Sequence, residues 1–356
     1  MKLVSYVLSG EALRRYLRKL SDRGRIPRTE ENLNHIPSGL GALSGEFIVD
    51  LNRMHGNLLA NASSRIRDEF LPKGSGKNLE VLPPDMIAFL QRGQEAMEAA
   101  QCTLRFVQEE PKMARYFQHG GDLIPVSTTR LLAPVPRPGK LIAAWVNYEE
   151  HGKEATVQAP KKAPLFFTKW PTAVIGPGQP IVLPRISQKV DYEAELALVI
   201  GKKGKNIPAE RAYDHVAGYT ILNDVSARDF SLRVLLGTPG PSDIQKSFDT
   251  FAPMGPYLVT PDEIPDPHAL GIRLRIGDEV LQDDTTGSMI HRIPQIIAYL
   301  SAIATLEPGD VISTGTPPGV GFTRTPPRWL RPGETVRIEI DRIGVLENPV
   351  VAEPEI

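Results

Sequence analysis

A single cysteine, Cys102, in 356 residues excludes an intrachain disulfide and fits a reducing cytoplasm. Charge of neither sign is in excess. The 41 Lys and Arg residues stand against 42 Asp and Glu, so nothing points to a nucleic acid or a membrane partner. No apolar run reaches the roughly 18 residues that a membrane helix needs. The stretch Met1 to Leu8 reads as a short strand, too brief for the apolar core of a signal segment, and charged residues follow it. Proline is what the chain has in plenty. Its 33 residues exceed the ~5% of average usage and cluster from Pro125 to Pro184 and again after Pro253. Many short strands with fixed turns are expected there, and 41% hydrophobic residues suffice for a sizeable core.

The texture changes near residue 125. Before it, residues 10 to 23 have a helical pattern with Arg14, Arg15, Arg18, Lys19 and Arg23, read as a solvated basic face; residues 11–36 look like an insertion. Gly41 to Leu51 predicts two short strands joined by a turn at Ser44-Gly45. Pro84-Asp85 then opens a helix running to about Gln108. Beyond Leu131, strands are expected over 142–146, 165–169, 195–201, 216–223, 257–260, 272–276, 310–314 and 334–340. One amphipathic helix, Pro294 to Thr305, interrupts them. Without a strand–helix alternation, a doubly wound parallel sheet is disfavoured. The expected class is strand-rich α+β, with a variable domain over 1–125 and a catalytic domain over 126–356.

Chemistry enters at Val190 to Gly201, where Asp191, Glu193 and Glu195 run into an apolar strand. Alternation along a strand points Glu193 and Glu195 the same way. Two like charges at the mouth of a buried strand are costly unless a cation lies between them, and Mg²⁺ or Mn²⁺ takes oxygen ligands. Gly218 to Val225 supplies a third carboxylate, Asp224, at the end of another apolar strand. Three such oxygens would leave about three positions of an octahedral ion open. The same spacing also suits solvent-facing charges at strand ends. Upstream, His151 and Glu154 face each other across one helical turn, as a base and its orienting carboxylate would, or as an ordinary surface pair.

Six motifs then occur in order: Asn147-Tyr148-x-x-His151-x-x-Glu154, Phe166-Phe167-x-Lys169, Asp191-Tyr192-Glu193-x-Glu195, Asn223-Asp224-Val225-x-Ala227-Arg228-Asp229, Lys246 to Thr250, and Thr314 to Gly321. Over about residues 131 to 351 they resemble the fumarylacetoacetate hydrolase family, especially its bacterial fumarylpyruvate and acylpyruvate hydrolase-like members. The resemblance implies a mixed β-roll, a homodimer, and one Mg²⁺ held by Glu193, Glu195 and Asp224, with Mn²⁺ or Ca²⁺ as substitutes. It implies that His151 and Glu154 sit on a short lid helix and activate water, with Lys246 beside the metal. Arg228 would meet the substrate carboxylate, and Tyr148, Lys169 and Thr316 would contact the substrate. The chain departs from the family pattern at Ser231, where relatives often carry Gln, and at Trp170, which separates Lys169 from Pro171.

A cation with open positions suits a 2-oxo acid, which chelates through its carboxylate and neighbouring carbonyl. The expected reaction is hydrolysis of a 2,4-dioxo acid to pyruvate and a carboxylic acid, in the catabolism of aromatic compounds. Water activated by His151 attacks the 4-carbonyl, the C3–C4 bond breaks, and a pyruvate enolate leaves. The same enolate serves an oxaloacetate decarboxylase or a 2-oxo-acid hydratase or isomerase, so these stand as alternatives. A non-catalytic relative that binds an oxo acid is a third.

Overall fold

The computed structural model describes residues 1–9, 38–61, 63–71, 80–110, 112, 122–238 and 242–355. The helix expected over 10–23 and the insertion over 11–36 lie outside the described residues. The chain divides into two compact units, Met1–Leu132 and Ala133–Ile356. The strand Thr129–Leu131 belongs to the first because it pairs with Tyr6 to Leu8.

In the first unit, Lys2–Leu8, Ser38–Ser44, Phe47–Asp50 and Leu123–Pro125 pair antiparallel in the order listed. The hairpin expected at Ser44-Gly45 is present, with Gly45 in the left-handed backbone (φ +58°) that its turn requires. The expected helix from Pro84 to Gln108 is two helices, Met86–Gln91 and Gly93–Glu109. Asp85 caps the first by accepting the Ala88 N–H at 2.9 Å, and Gly93 (φ +64°) breaks the run. Periodicity alone reads through such a break, because both segments keep their apolar side inward. Helices Leu51–Asn61 and Ser64–Phe70 complete a small core of Val49, Met54, Leu58, Phe70, Phe106 and Val107.

The second unit is strand-rich, as expected. One sheet runs Ala252–Val259, Val216–Asn223, Ala194–Ile200, Val311–Ser313, Leu141–Trp145, Leu165–Thr168. Its pairings are antiparallel except that of Val311–Ser313 with Leu141–Trp145. A second, five-stranded sheet is ordered Glu279–Thr285, Gly271–Ile276, Thr335–Ile340, Gly344–Ala352, Ile181–Leu183. Leu196, Leu198 and Tyr219 of the first share one core with Leu274, Ile338 and Ile340 of the second, joined by Ile296 and Ile297 of the helix Ile293–Ile303. Every residue of Ala194–Ile200 is buried, as in a central strand covered on both faces. Among the described residues no helix is long and apolar enough to cross a membrane.

Candidate active site

The run from Val190 is not one strand. Val190–Asp191 pairs with Ser226–Ala227 in a separate ribbon, Tyr192 and Glu193 lie outside any ladder, and Ala194 opens the central strand. Register then decides the geometry. Ala194 faces Asn223, so Glu193 and Asp224, each one step beyond, are neighbours, and the Asp224 N–H donates to the Glu193 carbonyl at 2.9 Å. Asn223 fixes the same corner by accepting the Glu193 N–H at 3.1 Å. Glu193, Glu195 and Asp224 each bring one carboxylate oxygen within 4.8 Å of the others, and all three are buried.

Two lysines and an arginine answer this charge. The Lys246 ammonium lies 2.6 Å from Glu193 Oε2 and 2.5 Å from Asp224 Oδ2, standing where a cation between the carboxylates would stand. Lys169 donates to Asp224 Oδ1 at 2.6 Å and to the Lys246 carbonyl. Arg228 grips Asp191 at 2.9 Å and Glu193, and its guanidinium stacks over Phe322 at 4.3 Å. Burial opposes ionisation of Glu193, but Lys246 and Arg228 outweigh it and hold its carboxyl below the usual range. Glu195 goes the other way. Burial, then Asp224 and Glu193, pushes it well up, although Ser313 Oγ (2.5 Å) and the Gly315 N–H (3.0 Å) donate to its Oε2. A set of three converging hard oxygen donors, one of which (Glu195) resists ionisation until a further positive charge arrives, fits an oxygen-loving divalent cation. Exposed carboxylates at strand ends, the plainer alternative, do not describe this cluster.

Across the site, the helix Glu149–Glu154 carries His151, whose Nδ1 lies 2.9 Å from Glu154 Oε1. A carboxylate accepts, so Nδ1 carries a proton toward Glu154, and in the neutral ring that tautomer makes Nε2 the proton acceptor. Glu154 is itself fixed, because its Oε2 accepts the Gly319 N–H at 2.9 Å. Asn147, just before this helix, donates to the carbonyls of His291 and Thr314 and ties the helix to the 314–321 loop. His151, Glu193, Glu195, Arg228, Lys246 and Thr316 all line one cavity of about 250 Å³, with Trp145, Phe322 and Trp329 among its apolar walls.

Other positions expected to face the substrate are placed differently. Lys169 is outside the lining, fully enclosed against Asp224. Burial and the neighbouring Lys246 push its ammonium down, against the pull of Asp224. Tyr148 is also outside the lining, and its buried hydroxyl has no partner among the described residues. Arg228 lines the cavity but its fork is already engaged by two carboxylates, because Asp191, a strand-entry residue in sequence, is buried beside it. Asp191 also accepts the N–H groups of Gly321 (2.7 Å) and Phe322 (3.2 Å) and so anchors the loop that bears Thr316. The Thr316 hydroxyl donates to the Ala194 carbonyl at 2.9 Å and accepts from Gln282 at 2.8 Å. Sequence reasoning passed over Lys189, Gln245 and Ser313. Lys189 and Gln245 line the cavity, and Lys189 has no ion pair among the described residues. A basic residue directly before the Val190-Asp191 motif was the available signal.

Residues 140–351 match the family model for the fumarylacetoacetate (FAA) hydrolase C-terminal region. The mitochondrial oxaloacetate tautomerase of Xenopus laevis is 45% identical over 275 residues, covering 76% of this chain and 79% of that protein. The crystal structure of 5-carboxymethyl-2-hydroxymuconate delta-isomerase from Mycobacterium smegmatis is similar at a TM-score of 0.56, with 41% identity over 65% of this chain and 83% of that one. Maleylpyruvate hydrolase from Sphingobium sp. SYK-6, solved with manganese(II) and pyruvate, is similar over 99% of this chain and 100% of that one, at a TM-score of 0.63 and 26% identity. With a family model matching more than half of the chain and a relative 45% identical over three quarters of it, the chain belongs to the fumarylacetoacetate hydrolase family.

Proposed function

We propose that the second unit is a divalent-cation-dependent enzyme of small 2-oxo acids, and that it interconverts the enol and keto forms of a four-carbon dicarboxylate of the oxaloacetate type. The observation that carries this reading is one cavity lined by His151, whose Nδ1 is paired with Glu154, and by the Glu193 and Glu195 carboxyl groups. The donors Glu193, Glu195 and Asp224 suit Mg²⁺ first and Mn²⁺ second, with Ca²⁺ as a substitute. When bound, the cation supplies Lewis acidity at the acid's carboxylate and 2-carbonyl oxygens.

The chain's own groups do the rest. His151 Nε2 takes the C3 proton of the keto form, and the C–H electron pair becomes the C2–C3 double bond. The 2-oxygen takes its proton from Lys246 or from solvent, and the reverse direction returns both protons. Glu154 orients the ring and offsets the charge that develops on it. Lys189, the lining cation without an ion pair among the described residues, is the group for the distal carboxylate of a dicarboxylic acid. Named relatives at 42–45% identity over three quarters of the chain support tautomerisation.

Hydrolysis of an acylpyruvate or fumarylpyruvate is the second reading, favoured by the likeness to maleylpyruvate hydrolase along 99% of the chain. There His151 would take the proton of a water attacking the 4-carbonyl, and the C3–C4 bond would break. A homodimer, as the family resemblance implies, in a reducing compartment completes the proposal; the lone Cys102 supports only the reducing compartment, and because the Xenopus relative is named as mitochondrial, fractionation has to separate that compartment from the cytoplasm.

Product identification with Mg²⁺ tests the choice. Faster loss of the oxaloacetate enol absorbance, with no CO₂ or acid released, supports tautomerisation. Pyruvate and a carboxylic acid from fumarylpyruvate or acetylpyruvate support hydrolysis, and CO₂ from oxaloacetate supports decarboxylation. Binding of these acids without any turnover would leave the oxo-acid-binding relative as the surviving reading.

A further inference from the structure

The segment that carries His151 is held at its start and at its end by one remote residue, His291. At the start, Asn147 Oδ1 accepts the His291 N–H at 2.8 Å, and Asn147 Nδ2 donates to the His291 carbonyl at 2.9 Å. The Asn147 carbonyl accepts the Ile290 N–H at 2.8 Å. At the end, Nε2 of the buried His291 ring lies 2.5 Å from the Pro160 carbonyl oxygen. A carbonyl only accepts, so this nitrogen carries the proton and donates it.

The backbone is strained on both flanks of the helix Glu149–Glu154. Val146 (φ +49°) and Thr156 (φ +53°) are β-branched, yet both stand in the left-handed region. Such conformations persist only where the surroundings over-determine them. Around Val146 the four bonds of Asn147, to His291, Ile290 and Thr314, do this. Beyond Thr156, the Val157 N–H donates back to the Gly152 carbonyl at 2.9 Å, and the His291 ring takes the chain at Pro160. Val146, His151, Ala155 and Val157 all line the cavity, so the placement of this segment sets one wall and the position of the imidazole.

We propose that His291 is a positioning residue for the reaction: its ring N–H clasps Pro160, keeps the strained turn at Thr156 closed, and so holds His151 at the cavity wall. Without the clasp, the strain at Thr156 is relieved by movement of residues 155–160, and the helix loses its support on that side. His291 touches neither the carboxylate triad nor the ligand in this role. The turnover arm of the test rests on the 2-oxo-acid reading; the exchange arm does not.

Hydrogen exchange of the full chain without ligand reads the clasp at the amides of Gly152, Ala155 and Val157, whose bonds lie inside the segment. His291→Leu removes the ring donor but keeps the backbone bonds to Asn147. It is expected to speed exchange at these amides about tenfold and to leave the central strand Ala194–Ile200 unchanged. His291→Gln offers an N–H at a similar reach and is expected to restore slow exchange. With Mg²⁺ and the oxaloacetate enol, His291→Leu should lower kcat about 10- to 100-fold while KM stays within about threefold, and His291→Gln should recover most of kcat. Unchanged exchange over 147–160 in His291→Leu, or faster exchange that spreads through Ala194–Ile200, overturns the clasp. Failure of His291→Gln to restore slow exchange overturns it as well, because the N–H is then not the operative group. Faster exchange in the segment with kcat unchanged overturns the positioning of His151. No turnover by the unaltered protein overturns the tautomerisation reading instead, and the exchange arm still decides the role of His291.

Discussion

The Lys169 ammonium lies 2.6 Å from Asp224 Oδ1 with both side chains sealed from solvent. A pair of this kind is expensive to break from one side, because the carboxylate that remains is buried without its counter-charge. Lys169→Met is therefore expected to destabilise the protein by about 3–5 kcal/mol in urea or thermal unfolding without a bound cation. A variant as stable as the parent would show that Lys246 alone suffices for Asp224.

Cation binding is readable without any substrate. Because the triad is formed in the folded chain, Mg²⁺ or Mn²⁺ should raise the melting temperature, by the equivalent of ~2.7 kcal/mol at a hundredfold excess over Kd. Glu195→Ala removes the carboxyl held by Ser313 and Gly315 and is expected to abolish that rise along with turnover. A rise that survives in Glu195→Ala would place the ion elsewhere.

The proton acceptor and its support can be separated. His151→Ala is expected to lower enol–keto turnover by about 10²–10⁴-fold, the usual worth of a positioned base. Gly319→Ala touches neither the ring nor the triad, yet a Cβ there would meet the Leu281 carbonyl oxygen at 2.1 Å, on a backbone at φ +107°. The loop must shift, Glu154 loses its N–H donor, and kcat should fall on the order of 10²-fold with Mg²⁺ stabilisation kept. Normal kcat in Gly319→Ala would show that Glu154 needs no such anchor.

Acid stability is expected to depend on His55 in the first unit. It is fully buried on the helix Leu51–Asn61, and burial, then Arg92, pushes its imidazole down to about 4. The unfolded chain, with an ordinary pKa near 6.5, binds the proton first. Stability is thus complete above about pH 6.5 and is lost as pH falls toward 4, by about 2 kcal/mol between pH 7 and 5. Urea melts at the two values should show this slope, and His55→Phe should flatten it.

Much of the site was legible because its motifs are short. Glu193 and Glu195 share a face through local alternation, His151 and Glu154 share one through a single helical turn, and Asp224 ends an apolar strand. Less was legible where partners are remote in sequence. Lys169 meets Asp224 across 55 residues and Arg228 meets Asp191 across 37, so both cations expected at the substrate are engaged by carboxylates of the protein, Arg228 while it also lines the cavity. Periodicity also joined what is separate: the strand through Tyr192 is interrupted, and the helix through Arg92 is two.

Residue chemistry, local spacing and the resemblance in motif order, then, were enough to mark three carboxylates, an imidazole with its carboxylate, and a strand-rich second unit. The tertiary structure decided which charges are spent on one another and which remain for a ligand. Register placed Glu193 beside Asp224, the closing of remote segments enclosed Lys169, and Gln245 and Lys189 were left lining the cavity. The physical reason is one of range. Strand alternation and helical turns act over a few residues and can be read in order. Compensation of buried charge acts through space, and only the folded chain sets which groups are close enough to pair.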